Sequence, residues 1–178
     1  MPESTGTTAR EPGHEVVPLR VAPSPAPEVE RALRRHYPRY QYCFVDFFAE
    51  QLADVSRAFQ GDLQMVVLLA TIGQVSLSAA LAAEAGGRSP TELAPERRGM
   101  TTNRLADCTG IPRETARRKL LAMQKMGWLE RQDNFWFLNT SGEDTVARQA
   151  LADLDDRSVS RTARLYATLS RLIAANPA

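Results

Sequence analysis

The chain has 178 residues, 43% of them apolar, which suits one well-filled core with extensions and excludes a small cross-linked scaffold. The net charge of +1 hides its distribution: residues 97–131 hold nine basic against three acidic side chains, so this segment carries +6 and the remainder −5. Such a dipole turns one face toward a polyanion, while the only two cysteines, Cys43 and Cys108, stand at unrelated spacings that imply neither a disulfide framework nor a metal site and fit a reducing cytoplasm.

Residues 1–27 contain six prolines among Gly, Ser, Thr and charges, without sustained periodicity. They read as a disordered tail, with an arm along DNA or a partner as the functional alternative. No basic-then-apolar leader opens the chain, and the longest strongly apolar run, Met65 to Ile72, is far below membrane-spanning length, so no membrane partner is expected. Glu28 to His36 gives two helical turns, which Pro38 stops. Tyr40, Phe44, Phe47, Phe48, Val55 and Phe59 then recur at three- and four-residue steps and predict a helix with one aromatic-rich stripe. The stripe reads as core or dimer contact; the wall of a pocket for a small-molecule effector is the alternative. Gly61 breaks that helix, and Asp62 caps another from Leu63 to about Ala85. This one is apolar on most faces and is expected to be covered nearly all round, between the aromatic helix and the motif that follows. Residues 86–99 read as a loop whose Arg97-Arg98 pair either touches phosphate or is solvated.

The stretch from Thr101 to Asn139 organises the rest. A short helix opens at Thr101 or Thr102, turning Leu105 and Ala106 inward and Asn103 and Arg104 outward. Gly110 supplies the positive φ of a tight turn, and Pro112 suits the first position of a second helix. Ala116, Leu120 and Met123 form the packed side of that helix, with Ile111 leading in; Glu114, Arg118 and Lys125 fall opposite, flanked by Arg113 and Arg117. Lys119 occupies a position usually apolar, so its methylene stem is expected to cover the core while the amine reaches out. Gly127 closes the helix as a left-handed cap, and residues 128–131 and 135–138 predict two strands around Gln132-Asp133-Asn134. Arg104, Arg117, Lys125 and Arg131, together with Thr102, are placed to meet phosphates, which set register and salt dependence. After the hairpin, Thr140-x-x-Glu143 is a capping-box signature for a helix to about Leu154. Asp155-Asp156 interrupt it, and a last helix from about Ser158 to Ala174 carries Ala163, Tyr166, Leu169, Leu172 and Ile173 opposite Arg157, Arg161, Arg164 and Arg171.

The order helix, glycine turn, basic helix and hairpin resembles bacterial winged helix-turn-helix regulators, on Ala106 four residues before Gly110, Arg113-Glu114-Thr115, and the Gly127-Trp128-Leu129 exit. Arg113-Glu114-Thr115 followed by Arg118 is similar to the base-reading set of the cyclic-AMP receptor protein family. That resemblance implies that Arg113, Glu114 and Arg118 face base edges, where Arg bonds guanine bidentately and Glu accepts from cytosine. Two helices before the winged unit and two after it are similar to the layout of MarR-like regulators, which implies terminal helices that build a two-fold dimer.

The expected fold is therefore mainly α: a winged helix-turn-helix with a small β-hairpin wing, and flanking N- and C-terminal helices that form a dimerisation region. Its segments are a tail at 1–27, supporting helices at 28–60, the DNA-binding domain at 61–140 and dimerisation helices at 141–178. The expected function is a cytoplasmic, homodimeric transcription regulator that binds double-stranded DNA at an inverted repeat. The alternative is a winged-helix module that docks on protein, which calls for an apolar or acidic rather than Arg-rich recognition face. No nucleophile motif, phosphate loop or metal-ligand cluster appears, and His14 and His36 are far apart, so neither an enzyme nor a cofactor is expected.

Overall fold

The computed structural model describes residues 26–139 and 146–174. The tail expected at 1–27, but for Ala26 and Pro27, lies outside them, as does the capping box from Thr140 to Glu143. The described elements are α1 (Ala26–Arg35), α2 (Tyr37–Ala58), α3 (Leu63–Ala85), α4 (Pro95–Arg98), β1 (Met100–Thr101), α5 (Thr102–Thr109), α6 (Arg113–Lys125), β2 (Leu129–Gln132), β3 (Phe135–Leu138) and α7 (Val146–Ala174). The three strands form one antiparallel sheet in the order β1-β3-β2.

Local chemistry sets most boundaries. Pro38 lies in the first turn of α2 rather than merely ending α1. Gly61, at φ +80, turns the chain out of α2, and the Asp62 carboxylate then accepts the Met65 N–H at 3.0 Å to cap α3. The region expected to be loop contains a single 3-10 turn, Pro90–Glu92, and the four-residue α4. The two-residue β1 was not expected from the sequence. It pairs Met100 with Trp136 and Thr101 with Phe135, and Gly99 just before it allows the Phe137 ring so close that an added Cβ would lie 2.4 Å from it.

The winged core is dense. Leu68, Ile72, Leu105, Ala116, Leu120, Met123, Leu129 and Trp136 are all essentially inaccessible to solvent, and Phe59 meets Trp128 edge-on at 5.8 Å. Contrary to expectation, α3 is not covered all round. Its buried side is Leu68, Leu69, Ile72, Ala79 and Ala83, while Leu63, Val67, Leu77 and Leu81 are exposed. The run without charge is also longer than expected, reaching from Leu63 to Ala83, and α3 is long and apolar enough by length and composition to cross a membrane. Nor is α3 sandwiched against the aromatic stripe, because only Val55 and Phe59, at the near end of α2, join its core.

α2 packs instead along α7. Ser158 and Arg161 meet Gln51 and Glu50, and Leu172 and Thr168 share a cleft with Pro38 and Tyr42, so the two helices run antiparallel. The interruption expected at Asp155-Asp156 is absent. α7 is one helix of 29 residues, since nothing from 146 to 174 is Gly or Pro and Arg157 and Arg161 tie its middle to Asp54. The winged unit is thus followed by one described helix rather than two.

The α2/α7 seam also corrects the face assigned to Arg161. It is 8% exposed, donating to Asp54 at 2.6 Å, Glu50 at 2.9 Å and the Gln51 side-chain carbonyl at 2.8 Å. Asp54 is 3% exposed and is paired with Arg57 as well. The Arg161 guanidinium holds the Asp54 carboxyl below its ordinary value against the upward push of burial, with Arg57 and Arg157 adding to the effect. Of the stripe expected on the last helix, Tyr166 and Ala163 are exposed, while Leu169, Leu172 and Ile173 are half-buried.

Candidate nucleic-acid interface

α5 begins where the Thr101 hydroxyl accepts the Arg104 N–H at 3.3 Å, and ends at Gly110 in the left-handed region at φ +69. That turn brings α6 out within three residues. Pro112 is the residue before α6 rather than its first helical position; its carbonyl accepts the Ala116 N–H at 2.9 Å. At the other end Gly127, at φ +74, lets the Trp128 N–H reach the Met123 carbonyl at 3.0 Å, closing the helix and starting the wing.

With Ala116, Leu120 and Met123 locked in the core, the other side of α6 faces solvent. Arg113, Glu114, Arg117, Arg118 and Lys125 are all exposed there. Glu114 is held by Arg117, which donates to it through Nε at 3.0 and 3.1 Å and Nη2 at 2.7 Å; this pairing keeps the Glu114 carboxyl below and the Arg117 guanidinium above their ordinary values. Lys119 behaves otherwise than expected. Its stem is largely buried, but its amine donates to the Asp62 carboxylate instead of reaching into solvent, so a recognition-helix lysine secures the cap of α3. Burial raises the Asp62 pKa, yet the bonds from Lys119 and from the Met65 N–H outweigh it and the net shift is downward.

The wing is a two-residue hairpin, Asp133-Asn134, with Asp133 at φ +52. Arg131 donates to the Asp133 carbonyl at 2.9 Å and lies 5.4 Å from the Trp136 ring, which orients it along the hairpin. Trp136 Nε1 donates to the Thr102 hydroxyl at 3.0 Å, joining the wing to the start of α5. Of the expected phosphate residues, Thr102, Arg117 and Arg131 meet, together with Arg113, around one notch of about 270 Å³. Asn103, Asn134 and Thr101 complete its lining and were missed in the sequence; an amide in the first helical turn and another at a hairpin tip are the signals that point to them. Arg104 is half-buried, and Lys125 stands at the far end of α6, about 18 Å along its axis from Arg113 at 1.5 Å per residue. Arg118 is exposed on the helix outside the notch. Of the Arg97-Arg98 pair, Arg98 stacks 4.4 Å over Phe137 and donates to Gln132, which ties α4 to the wing, and Arg97 is exposed.

Residues 91–133 match the family model of the IclR helix-turn-helix domain. The match covers α4, β1, α5, α6 and the first wing strand, and leaves α1 to α3 and α7 outside. No curated protein and no solved structure matches the chain. The chain thus carries an IclR-type helix-turn-helix, the DNA-binding domain of a bacterial winged helix-turn-helix transcription regulator, with double-stranded DNA as its partner.

Proposed function

We propose that this regulator is sequence-specific, works in the cytoplasm, and binds an inverted-repeat operator as a homodimer, each copy placing α6 in one half-site. The observation that supports it most is the exposed side of α6. Four cations, Arg113, Arg117, Arg118 and Lys125, project from a helix whose other side is locked into the winged core. In this reading Arg113, Glu114 and Arg118 face base edges, as in the cyclic-AMP receptor protein family, and Glu114 exchanges its bond from Arg117 for one from a cytosine amine. Thr102, Arg104, Arg117, Lys125 and Arg131 take phosphates, with the notch between α5, α6 and the wing seating the backbone. The two-fold arrangement is similar to that of MarR-like regulators, in which helices beside the winged unit build the dimer.

The test is genomic binding of the tagged protein, followed by gel shifts on the best site as an intact repeat and as a single half-site. A salt-dependent complex on the repeat, with binding to the half-site weaker by about 100-fold, is expected when one of two coupled contacts is removed. Equal affinity for repeat, half-site and random duplex would overturn the specific, dimeric reading.

A further inference from the structure

α2 is inside out. The residues it turns toward α7 include Glu50, Gln51 and Asp54, all bonded to Ser158 or Arg161. On the opposite side of the helix, by its 3.6-residue period, stand Gln41, Val45, Phe48, Ala49, Leu52 and Ser56, with no charge among them. Val45 is 49%, Phe48 51% and Leu52 41% exposed, and Phe44 and Phe48 stack on each other in the open, 6.1 Å apart. A surface helix ordinarily does the reverse, because apolar surface left in water forfeits burial energy. Here part of the burial inside one chain goes to an ion-pair network, which carries little net stabilisation, beside the half-buried Cys43, Phe47 and Leu165. The face left outside is the one that would stabilise.

We infer that this outer face of α2 packs against the same face of a second copy, antiparallel about a two-fold axis passing between Phe48 and Ala49. The inference rests on the homodimer reading and adds to it the surface. Three features of the face select a second copy as its occupant. It is free of charge, so two copies meet without an unpaired ion. It is self-complementary about that axis: Phe48 falls opposite Ala49, Val45 opposite Leu52, and Gln41 opposite Ser56, so the largest ring meets the smallest side chain, aliphatic meets aliphatic and polar meets polar. Its size also fits. The exposed parts of Val45, Phe48 and Leu52 on this face, with Tyr37 and Phe44 on its flank, amount to roughly 400 Å² of apolar surface, close to the apolar share of an interface of about 800 Å² per partner. α7 then lies on the outside of the resulting four-helix assembly.

The experiment uses the full chain in a Cys43→Ser, Cys108→Ser background. Val45→Cys combined with Leu52→Cys should form an intermolecular disulfide under mild oxidation, because each position falls opposite the other's in the second copy, while the two stand seven residues apart on one helix and do not bridge within a chain. Tyr166→Cys, on the exposed edge of α7, should not. Phe48→Glu should raise the dimer dissociation constant by about 100-fold or more by setting two unpaired carboxylates face to face, with the far-ultraviolet helical signal unchanged because residue 48 packs on nothing essential within its own chain. A dimer in which Phe48→Glu has no effect, or in which the Val45→Cys, Leu52→Cys pair fails to cross-link, overturns the surface and leaves the homodimer standing. A wild-type chain that is monomeric by light scattering on its operator overturns both.

Discussion

The winged unit and the α2/α7 pair are built on opposite plans. In the winged unit apolar side chains converge, Trp136 and Leu120 have almost no solvent contact, and the charges of α6 other than Lys119 point outward. In the helical pair the charges converge: Arg161 is buried among Glu50, Gln51 and Asp54, while Phe44, Val45, Phe48 and Leu52 stand in solvent. The difference teaches where each region finds its stabilisation. Apart from Leu63, Val67, Leu77 and Leu81 on the outer side of α3, the winged unit buries most of its apolar surface within one chain. A seam of ion pairs fixes register, since a one-turn slip would strand Asp54, but it contributes little depth, so the pair depends on what covers its apolar side.

The largest effect that separates the two plans is Trp136→Ala against Phe48→Ala. The first removes a side chain 1% exposed and the Thr102 bond, and should cost about 3–5 kcal/mol in a denaturant melt. The second should leave the melt of a dilute, monomeric sample nearly unchanged. Equal losses would mean that the outer face of α2 is packed within its own chain.

Arg161→Ala comes next, since among the described residues it leaves the buried Asp54 with Arg57 and Arg157 as its cations. Amide exchange along α7 should speed up while α6 keeps its protection. The effect should depend on pH with a defined sign. Asp54 is held below its ordinary value of 3.8 in the folded chain, so the stability that Arg161 lends is fully present above that pH and disappears as pH falls through the lowered folded value. Wild type and variant should therefore converge in acid; a constant difference down to low pH would remove Asp54 from the explanation.

The smallest effects concern DNA and should leave the dimer intact. Arg118→Ala should weaken operator binding by about 1–3 kcal/mol and relax preference at one base pair. Arg131→Ala should weaken specific and random duplexes alike and flatten the salt slope by about one unit. An Arg118→Ala variant that loses affinity uniformly would make Arg118 a phosphate contact, and an Arg131→Ala slope like that of wild type would put the wing arginine in solvent.

What the sequence determined by itself is what local chemistry determines. Gly110 and Gly127 at positive φ, the Asp62 and Thr101 caps, and the spacing of Ala116, Leu120 and Met123 each act within a turn or two, so the helix-turn-helix and its wing were legible residue by residue. The cationic side of α6 follows from that spacing alone. Only the tertiary structure decided the rest. Arg161 reads as a surface cation by periodicity, and its burial depends on carboxylates 107 and 111 residues away. Lys119 looks outward until Asp62, 57 residues earlier, is set beside it. The Asp155-Asp156 pair suggests a break that Asp54, on another helix, helps to prevent. Helical periodicity distinguishes the two sides of a helix but does not say which one a partner covers. For α2 the charged side was covered, because a buried Asp and Arg that satisfy each other can lie in an interior that neither could enter alone.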